Sequence, residues 1–439
     1  MTVEDAAAAL TGAIPILGAR PVPPELESGA LPQPARSVGW FVPGRIEVFG
    51  KHTDYAGGRS LLASATRGIT FTANTTDKPT VTVTSRAVND TVELPLSDHI
   101  EGYSGGHWAG YAAATVSRLV SNFGDQVRGA EILMESDLPL ASGMSSSSAM
   151  VVGLARCLMD LSGIENDPRF RENVGTPEEM AAYLACIENG MSFGTLAGHR
   201  GVGTFGGSED HTAMLCGRPG ALVQYSFCPT KFEREVPFPK GHRFVILVTG
   251  VLAEKTGAAL EAYNRVSASA RELLSRWNQH TGRNDLYLDD ALSSQEDAAD
   301  IIRSLVPEGD YLRARLEQYL VESNDLVPAA GDALEAGDLA EFARATALSQ
   351  KWTDQALGNQ VPETRAAAKL ATDLGAVAAS AFGAGFGGSV WALVKTEDAA
   401  DFADHWLDAY VHQFPTMRGR GSIVHTRPGD SARRISLEL

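Results

Sequence analysis

The chain has 439 residues, which is long enough for two or three domains and excludes a single small module. Hydrophobic residues make up 44% and charged residues 21% of it, a balance typical of a globular protein and not of a disordered one. The formal net charge of −17 argues against nucleic acid as a partner, because an acidic surface repels a phosphate backbone. A small phosphate ligand needs only a local anion-binding site and is therefore compatible with this net charge.

Cysteine spacing and the N-terminal residues indicate the compartment. No CxxC pair and no disulfide framework occur, which is typical of reduced thiols. Glu4 and Asp5 stand where a signal peptide carries positive charge, and no apolar run reaches the roughly 18 residues of a membrane span. We therefore expect a cytoplasmic protein with no membrane partner. The cysteines are Cys157, Cys186, Cys216 and Cys228.

The first half of the chain predicts strands with helices between them. Five prolines between residues 21 and 35 predict an extended leader over residues 1–37. Period-two alternation and β-branched residues predict strands over 41–50, 68–76, 79–88 and 130–136. Apolar residues at helical spacing predict helices over 107–123, 145–161 and 177–189. A glycine-dense loop, residues 194–207, follows the last of these helices.

The second half repeats this order of strands and then helices. Apolar runs predict strands over 220–227 and 242–251. Long Ala-rich amphipathic patterns predict helices near 254–279, 311–322, 332–357 and 363–374. A glycine turn leading into a strand, a further helix and a final strand near 421–427 close the chain. Mixed strands and helices in both halves predict an α+β architecture.

A run of serines, SDLPLASGMSSSSAMVVGLA, is the strongest local signal. A strand ends at Glu135, a Pro-Gly turn follows, and the serines open a predicted helix. The unpaired amides and positive dipole end of a helix start bind anions, and hydroxyls can reach a phosphate or its metal ion. The alternative is that the serines only cap the helix.

A second glycine-rich stretch, AFGAGFGGSVWALV, contains a GxGxxG match at Gly383, Gly385 and Gly388. A strand follows these glycines where a dinucleotide-binding fold needs a helix, so that interpretation fails. No GxxxxGK[ST] sequence occurs, which excludes a P-loop ATPase. A tight turn with close backbone packing is the alternative role of these glycines.

Two further stretches concentrate polar residues at turns. In FVPGRIEVFGKHTDYAGG, Arg45, Lys51, His52 and Asp54 crowd the end of a predicted strand, where either a site or a solvated charged turn can form. In GGSEDHTAML, Asp210 follows two glycines and opens an apolar run. Asp210 fits either a helix cap or a general base, and sequence spacing leaves both open.

Taken together, these stretches resemble the GHMP kinase superfamily and, within it, the galactokinase family. PGRIEVFGKHTDYAGG, PLASGMSSSSA and GAGFGGSVWAL occur in the family's order, and HWAGY, AYNR and VPET add further similarity from about residue 38 to the end. The resemblance implies a two-lobed α+β fold in which each lobe is a mixed or antiparallel sheet packed with helices. It places the active site between an N-terminal lobe, residues 38–225, and a C-terminal lobe, residues 226–439.

The resemblance also implies the reaction, transfer of the ATP γ-phosphate to the anomeric hydroxyl of galactose or a similar sugar. Asp210 matches the family's catalytic aspartate, and Arg45 matches the arginine that pairs with it. An aspartate beside a guanidinium stays ionised, can accept the hydroxyl proton, and leaves the arginine to offset charge on the phosphoryl group.

The same resemblance implies three sets of binding residues, with ATP and Mg²⁺ as co-substrate and cofactor. Sugar contacts are expected from Lys51, His52, Asp54, Gly207 and Tyr263. ATP contacts are expected from Trp108, Pro139, Gly143, Ser145, Ser146, Ser147, Ser148 and Gly385. The expected Mg²⁺ ligands are Ser147, with Ser146 as the neighbouring candidate, and Glu188. Two alternatives stay open, an exposed helical carboxylate for Glu188 and a core tryptophan for Trp108.

Several residues depart from the family pattern. Lys51 replaces a glutamate that accepts a hydrogen bond from the hydroxyl on the sugar's sixth carbon, and a lysine accepts none. This change suggests a uronic acid such as galacturonate as substrate. Glu47 replaces an asparagine, and His211 replaces a glutamine. The 21 residues between Glu188 and Asp210 exceed the family's short connection. This insertion is expected either to reshape the sugar pocket or to act as a lid, and its glycines favour mobility.

Two other classes of function compete with a sugar kinase. Some galactokinase relatives bind sugar and ATP as sensors for a transcriptional partner, with an altered phosphate loop. Here Arg45, Asp210 and the serine run are all present, which favours an enzyme. A kinase for a non-sugar alcohol is disfavoured by the HTDY and AYNR sequences. The expected partners are a small sugar and ATP, and the sequence leaves monomer and dimer open.

Overall fold

The computed structural model describes residues 36–103, 107–139, 143–251 and 257–437, and of residues 257–259 only the backbone. Residues 1–35 of the predicted leader lie outside this part of the chain. In chain order the strands are β1 (Ser37–Phe49), β2 (Arg59–Thr75), β3 (Thr80–Ser85), β4 (Asp90–Pro95), β5 (Ala130–Ser136), β6 (Ala221–Ser226), β7 (Lys231–Pro237), β8 (His242–Val248), β9 (Ala378–Phe382), β10 (Ser389–Lys395), β11 (Ser422–Thr426) and β12 (Arg433–Ile435).

The helices alternate with these strands in the first half and dominate the second half. Two short π-helical segments, Val321–Leu326 and Thr353–Leu357, follow α9 and α11. In chain order the helices are α1 (Trp108–Phe123), α2 (Ser146–Ser162), α3 (Pro168–Asn173), α4 (Pro177–Asn189), α5 (Glu209–Cys216), α6 (Gly257–Thr281), α7 (Leu288–Ser293), α8 (Ala298–Ser304), α9 (Tyr311–Leu320), α10 (Val327–Ala336), α11 (Leu339–Trp352), α12 (Pro362–Asp373) and α13 (Ala399–Gln413).

Within the described residues the strands form two sheets. The larger has eight strands in the order β12-β1-β2-β5-β3-β4, with the β6–β7 hairpin attached to β2. Its pairs are antiparallel apart from β3 with β5. The smaller sheet is antiparallel, in the order β11-β8-β10-β9. These sheets confirm the predicted α+β fold with a mixed sheet and an antiparallel sheet, each packed with helices.

The long strand β1 carries the candidate site into the centre of the molecule. It is buried along nearly its whole length, because α2 packs on β1 and β2 while β9 of the smaller sheet also contacts β1. One large core joins side chains of both sheets, including Val42, Phe71, Ile246 and Trp391. A cleft between the two lobes therefore has rigid walls on both sides.

The structure differs from the sequence prediction at several elements. β2 begins at Arg59, nine residues before the strand predicted over 68–76, and β7 and β12 were not predicted. The single helix predicted over 332–357 is wrong, because Gly337 ends α10 with φ +72° and Asp338 caps α11 through the amides of Ala340 and Glu341. A lobe boundary at residue 225 would divide the β6–β7 hairpin, whose two strands pair in the larger sheet. The chain passes to the smaller sheet between β7 and β8, and β12 returns to the larger one.

None of the helices in the described part of the chain is both long enough and apolar enough to cross a membrane.

Candidate active site

A cavity of about 110 Å³ lies between the two lobes and collects most of the residues expected to be functional. Its walls come from β1, the turn after β1, the starts of α2 and α5, the end of α4, one side chain of α6 and the turn between β9 and β10. The expected residues among its lining are Arg45, His52, Asp54, Gly143, Ser145, Ser146, Ser147, Ser148, Glu188, Gly207, Asp210, Tyr263 and Gly385.

Arg45, which is buried, and Asp210, which is partly buried, form an ion pair in this cavity. Asp210 lies in the first turn of α5, and its Oδ1 accepts a hydrogen bond from Arg45 Nε. Arg45 also donates to the backbone oxygen of Gly143. Burial alone would lower the pKa of Arg45, but the charges of Asp210, Glu47 and Glu209 raise it above its ordinary value. The guanidinium is therefore permanently charged beside the carboxylate.

The serine run starts α2 at the cavity wall. Ser145 precedes the helix with φ +58°, and its side chain makes no capping bond. Its Oγ donates to Asp210 Oδ2. The hydroxyls therefore do more than cap the helix, which removes that alternative for Ser145. Because the first amides of a helix lack partners within it, this helix start can bind an anion beside Arg45.

Glu188, at the end of α4, faces the same helix start. It is buried, so the alternative of an exposed helical carboxylate is wrong. Ser148 Oγ donates to Glu188 Oε1 over 2.6 Å, and His211 Nε2 lies 3.4 Å from that oxygen. Ser147 lines the cavity without being the serine that bonds Glu188. The serine that contacts this carboxylate is therefore Ser148, and Ser147 stays a predicted Mg²⁺ ligand beside it.

A carboxylate beside hydroxyls is a set of hard oxygen ligands of the kind that Mg²⁺ binds together with phosphate oxygens. The described residues hold no group of three or more His, Cys, Asp or Glu side chains that could enclose a metal ion by themselves. Mg²⁺ needs only one or two carboxylates when phosphates supply other ligands. Glu188, Ser147 and Ser148 therefore fit a nucleotide-bound Mg²⁺ and not a metal site built from protein ligands alone.

His52, Asp54 and Tyr263 form the opposite end of the cavity. The His52 and Tyr263 rings lie 5.5 Å apart, and His52 Nε2 is 3.1 Å from the backbone oxygen of Ala384. Asp54 Oδ2 accepts a hydrogen bond of 3.0 Å from the amide of Glu209. Burial raises the pKa of Asp54 to about 6.

Gly207 lies close against Asp54. A Cβ on Gly207 would lie 2.4 Å from Asp54 Oδ2, and one on Gly206 would lie 2.5 Å from Tyr263 Oη. A side chain at either position would therefore displace one of these polar groups or the loop. Backbone at this position can approach a bound ligand directly.

The turn between β9 and β10 closes the cavity from the second lobe. Gly383 and Gly385 both have φ +80°, a conformation that favours glycine. A Cβ on Gly385 would lie 2.4 Å from Asn359 Nδ2. The predicted tight turn with close backbone packing is thus present, and the turn also lines the cavity.

Comparisons with known proteins agree with this geometry. Three family models match: "GHMP kinases N terminal domain" over residues 110–200, "GHMP kinases C terminal" over 332–412 and "Galactokinase galactose-binding signature" over 32–75. A galactokinase of Chloroflexus aggregans is 27% identical over 374 residues, 84% of this chain and 87% of that protein. A galactokinase of Pyrococcus furiosus is 26% identical over 374 residues, 85% of this chain and 93% of that protein. The chain belongs to the galactokinase branch of the GHMP kinase superfamily.

Solved structures show the same fold. A Lactococcus lactis galactokinase complexed with galactose has a TM-score of 0.73 and 24% identity, covering 91% of this chain and 95% of that chain. A mevalonate kinase has a TM-score of 0.51 and 14% identity, covering 90% of this chain and 99% of that chain. The GHMP kinase fold predicted from the sequence is confirmed. This galactokinase-like protein is a phosphotransferase with an alcohol group as acceptor.

Three of the expected binding residues do not line the cavity of this GHMP kinase. The Lys51 side chain is 1% exposed, and its Nζ lies 3.2 Å from Glu47 Oε1. Trp108 Nε1 donates to Asp90 Oδ2 over 3.0 Å at the start of α1. Pro139 stands directly before residues 140–142, which lie outside the described residues. A direct role of Lys51 in binding is not supported, because its ammonium group is occupied by Glu47.

Two carboxylates in the wall were missed as site residues. Glu47 lies two positions after Arg45 on β1, and side chains two apart on a strand face the same side, so the spacing could have indicated it. Glu209 Oε2 accepts from Ser60 Oγ over 2.9 Å. Burial and the neighbouring carboxylates raise the pKa of Glu209. Its position beside Asp210 is the only sequence signal for it.

The glycine-dense loop is held in place, contrary to the expected mobile lid. Asn264 of α6 donates to the Gly203 oxygen over 3.0 Å and accepts from the Phe205 amide over 3.2 Å. Ser267 of the same helix donates to the Phe205 oxygen over 2.8 Å. Asn189 donates to the Gly206 oxygen over 3.1 Å. Because helices of both lobes hold the loop, it acts as a fixed wall in this structure.

Proposed function

We propose that the protein is an ATP-dependent kinase that phosphorylates the anomeric hydroxyl of galactose or a galactose-like sugar. The observation that carries the proposal is the Arg45–Asp210 ion pair beside the start of α2. It combines a base, a fixed positive charge and an anion-binding helix end within one cavity. The galactokinase relatives support a sugar as the alcohol.

The ATP phosphates would bind at the start of α2. Gly143, Ser146 and Ser147 line the cavity there, and Gly385 faces them from the second lobe. Backbone amides and hydroxyls can donate to phosphate oxygens without carrying charge. Trp108 stays proposed as a neighbour of the adenine and Pro139 as an ATP contact, both from the family resemblance alone.

The transfer step needs a base for the hydroxyl proton and a positive charge that stabilises the phosphoryl group while it is transferred. Asp210 accepts the proton of the anomeric hydroxyl, whose oxygen bonds the γ-phosphorus while the bond from that phosphorus to the β–γ bridging oxygen breaks and ADP leaves. Arg45 offsets negative charge on the transferred group. Ser145 fixes the carboxylate of Asp210 through its hydroxyl. The sugar 1-phosphate keeps the oxygen of the sugar hydroxyl.

Glu188, Ser147 and Ser148 would hold the Mg²⁺ that accompanies ATP. A bound Mg²⁺ neutralises phosphate charge and orients the γ-phosphate. These residues contribute one carboxylate and two hydroxyls at the phosphate end of the cavity. Ser148 links the Glu188 carboxylate to Asp210, whose Oδ2 is 3.4 Å from the Ser148 hydroxyl.

A neutral sugar fits the charges at the other end of the cavity better than a uronic acid. Asp54, Glu47 and Glu209 line it, and Arg45, the one Lys or Arg side chain among the described residues of the lining, is paired with Asp210. Outside the lining, Lys51 is paired with Glu47, and Arg315 donates to Gln318 and to the backbone oxygen of His52. A sugar carboxylate would therefore lie near Asp54 with no Lys or Arg side chain of the lining free to pair with it. We propose that His52, Asp54, Tyr263 and the backbone at Gly207 contact hydroxyls of a neutral aldose. All four cysteines are free, which suits the proposed cytoplasmic location.

An ATP-consumption assay with Mg²⁺ tests the proposal on galactose, galacturonate and glucuronate. We expect turnover of galactose above both acids, and a 10²- to 10⁴-fold lower kcat for Asp210→Asn, the usual cost of losing a general base. Asp401→Asn is the matched control, since Asp401 is an exposed aspartate in the first turn of α13. Binding of galactose and ATP without turnover would instead support a sensor, and preference for an acid would revive the uronate hypothesis.

A further inference from the structure

The carboxylate of Glu47 belongs to the wall of the cavity. Glu47 and Arg45 lie on one face of β1, and both line the cavity although each is about 4% exposed. Glu47 is also close enough to Asp54 and Glu209 for its charge to raise the pKa of both. It therefore lies between the ion pair at the phosphate end and the polar groups at the other end.

The turn after β1 directs Lys51 away from the cavity and towards Glu47. Gly50 has φ +107° and His52 has φ +58°, so the chain reverses immediately after the strand. The second half of the chain holds this turn, because Glu322 accepts from the Gly50 amide over 2.9 Å and Gln318 donates to the Lys51 oxygen over 3.0 Å. The position of the Lys51 side chain is thus set by backbone contacts rather than by a ligand.

The Lys51 ammonium group has its partners within the protein. Nζ lies 3.2 Å from Glu47 Oε1 as an ion pair and donates over 3.5 Å to the backbone oxygens of Glu47 and Val48. The ammonium group therefore faces Glu47 and not the cavity, which Lys51 does not line. A carboxylate has room for about four hydrogen bonds, so Glu47 keeps acceptor capacity after pairing with Lys51.

We infer that Glu47 is a specificity-determining residue that accepts a hydrogen bond from one sugar hydroxyl, and that Lys51 is a positioning residue that acts through it. The inference rests on the proposed sugar kinase activity. A carboxylate is an acceptor, so Glu47, paired with the Lys51 ammonium group, selects a ligand that donates a hydroxyl at that point. It disfavours a sugar that lacks this hydroxyl or carries a carboxylate there.

The test compares galactose with its 2-, 3-, 4- and 6-deoxy derivatives as substrates of the wild-type protein and of Glu47→Gln. We expect Glu47→Gln to lower kcat/KM for galactose about 10- to 100-fold, mainly through KM, since a hydrogen bond to a charged group contributes about 1.5 to 3 kcal/mol. For one deoxy sugar the substitution should change kcat/KM less than threefold, because the bond it removes is already missing there.

Two further variants separate this role from a structural one. Glu47→Gln/Lys51→Met removes both members of the Glu47–Lys51 ion pair and should show the same selective loss if Glu47→Gln alone folds poorly. Glu322→Gln removes a buried carboxylate that touches the same turn but does not line the cavity, and should leave the ranking of the deoxy sugars unchanged.

The outcomes distinguish the inference from the proposed function. A wild-type protein that phosphorylates galactose, with Glu47 variants that lose activity equally on all five sugars, overturns the inference and leaves the function standing. A wild-type protein that phosphorylates none of the five contradicts the proposed function, and the inference fails with it.

Discussion

Ser145 and Asp210 join two elements that are 65 residues apart in the chain, through a hydrogen bond from the Ser145 hydroxyl to Asp210 Oδ2. Arg45 holds the other oxygen of the same carboxylate. The Asp210 carboxylate is therefore held by Ser145 at the start of α2 and by Arg45 on β1. Neither contact requires a ligand, so the geometry of the proposed base exists before substrate binds.

Ser145→Ala tests this fixed geometry. We expect kcat to fall about tenfold with little change in the KM for galactose, because the variant loosens the base without removing a sugar contact. Steady-state kinetics on the wild-type protein and the variant measure the split. Ser304→Ala, at the end of α8, is a control outside the cavity. An equal rise in KM with unchanged kcat would contradict the assigned role.

Glu188→Gln tests the proposed Mg²⁺ ligand. The amide keeps the size of the side chain but removes the charge, so we expect the Mg²⁺ concentration for half-maximal rate to rise at least tenfold. Titration of MgCl₂ at fixed ATP measures this shift. Glu178→Gln, in the first turn of the same helix, is the matched control. An unchanged Mg²⁺ titration would remove Glu188 from the metal site.

Gly207→Ala tests the close approach between the loop and Asp54. The new Cβ would lie 2.4 Å from Asp54 Oδ2, so either the loop or the carboxylate must shift. We expect the KM for galactose to rise about 10- to 100-fold while the protein stays folded. Gly175→Ala is the control, since a Cβ there would lie 3.5 Å from Glu179 Oε2, an ordinary van der Waals contact. Unchanged kinetics for Gly207→Ala would show that the loop does not shape the pocket.

Asn264→Ala tests whether α6 holds the glycine-dense loop. The variant removes the hydrogen bonds from Asn264 to Gly203 and Phe205. We therefore expect faster hydrogen exchange in the loop and a KM for galactose about 5- to 20-fold higher than in the wild-type protein. Gln279→Ala places the same change on an exposed part of the same helix and should alter neither. Unchanged hydrogen exchange at Gly203 and Phe205 would mean that Asn264 is not needed to hold the loop in place.

Asp54→Asn tests the pKa of about 6 that burial gives this carboxyl group. Between about pH 4 and pH 6 the folded protein retains a proton that the unfolded chain has lost, so this group lowers the free energy of unfolding as pH rises. We expect the variant to be more stable than the wild-type protein at pH 7.5, by on the order of 2 kcal/mol, and no more stable at pH 4.

Thermal unfolding without sugar, at both pH values, measures this difference. The kinase activity of Asp54→Asn should be lower than that of the wild-type protein, because an asparagine accepts a hydrogen bond from a sugar hydroxyl less strongly than a carboxylate does. A stability difference that is the same at pH 4 and pH 7.5 would show that Asp54 does not titrate in this range.

The elements of this protein were predictable where local patterns decide them. Alternation places β1 and β2, helical spacing places α1, α2 and α4, and the serine run marks the helix start at Ser146. Gly383 and Gly385 read correctly as a turn ahead of a strand. These features depend on the conformational preferences of a few neighbouring residues, which do not require contacts with distant parts of the chain.

Which side chains meet in the cavity depends on contacts between distant parts of the chain. The sequence alone pairs Lys51 with a ligand, but the turn held by Glu322 and Gln318 pairs it with Glu47. Ser148 bonds Glu188 because the packing of α2 against α4 sets which hydroxyl of the serine run faces that helix. The residues capable of the chemistry could be identified from the sequence, whereas their partners were decided by packing, since a buried charge must bond whatever the fold places beside it.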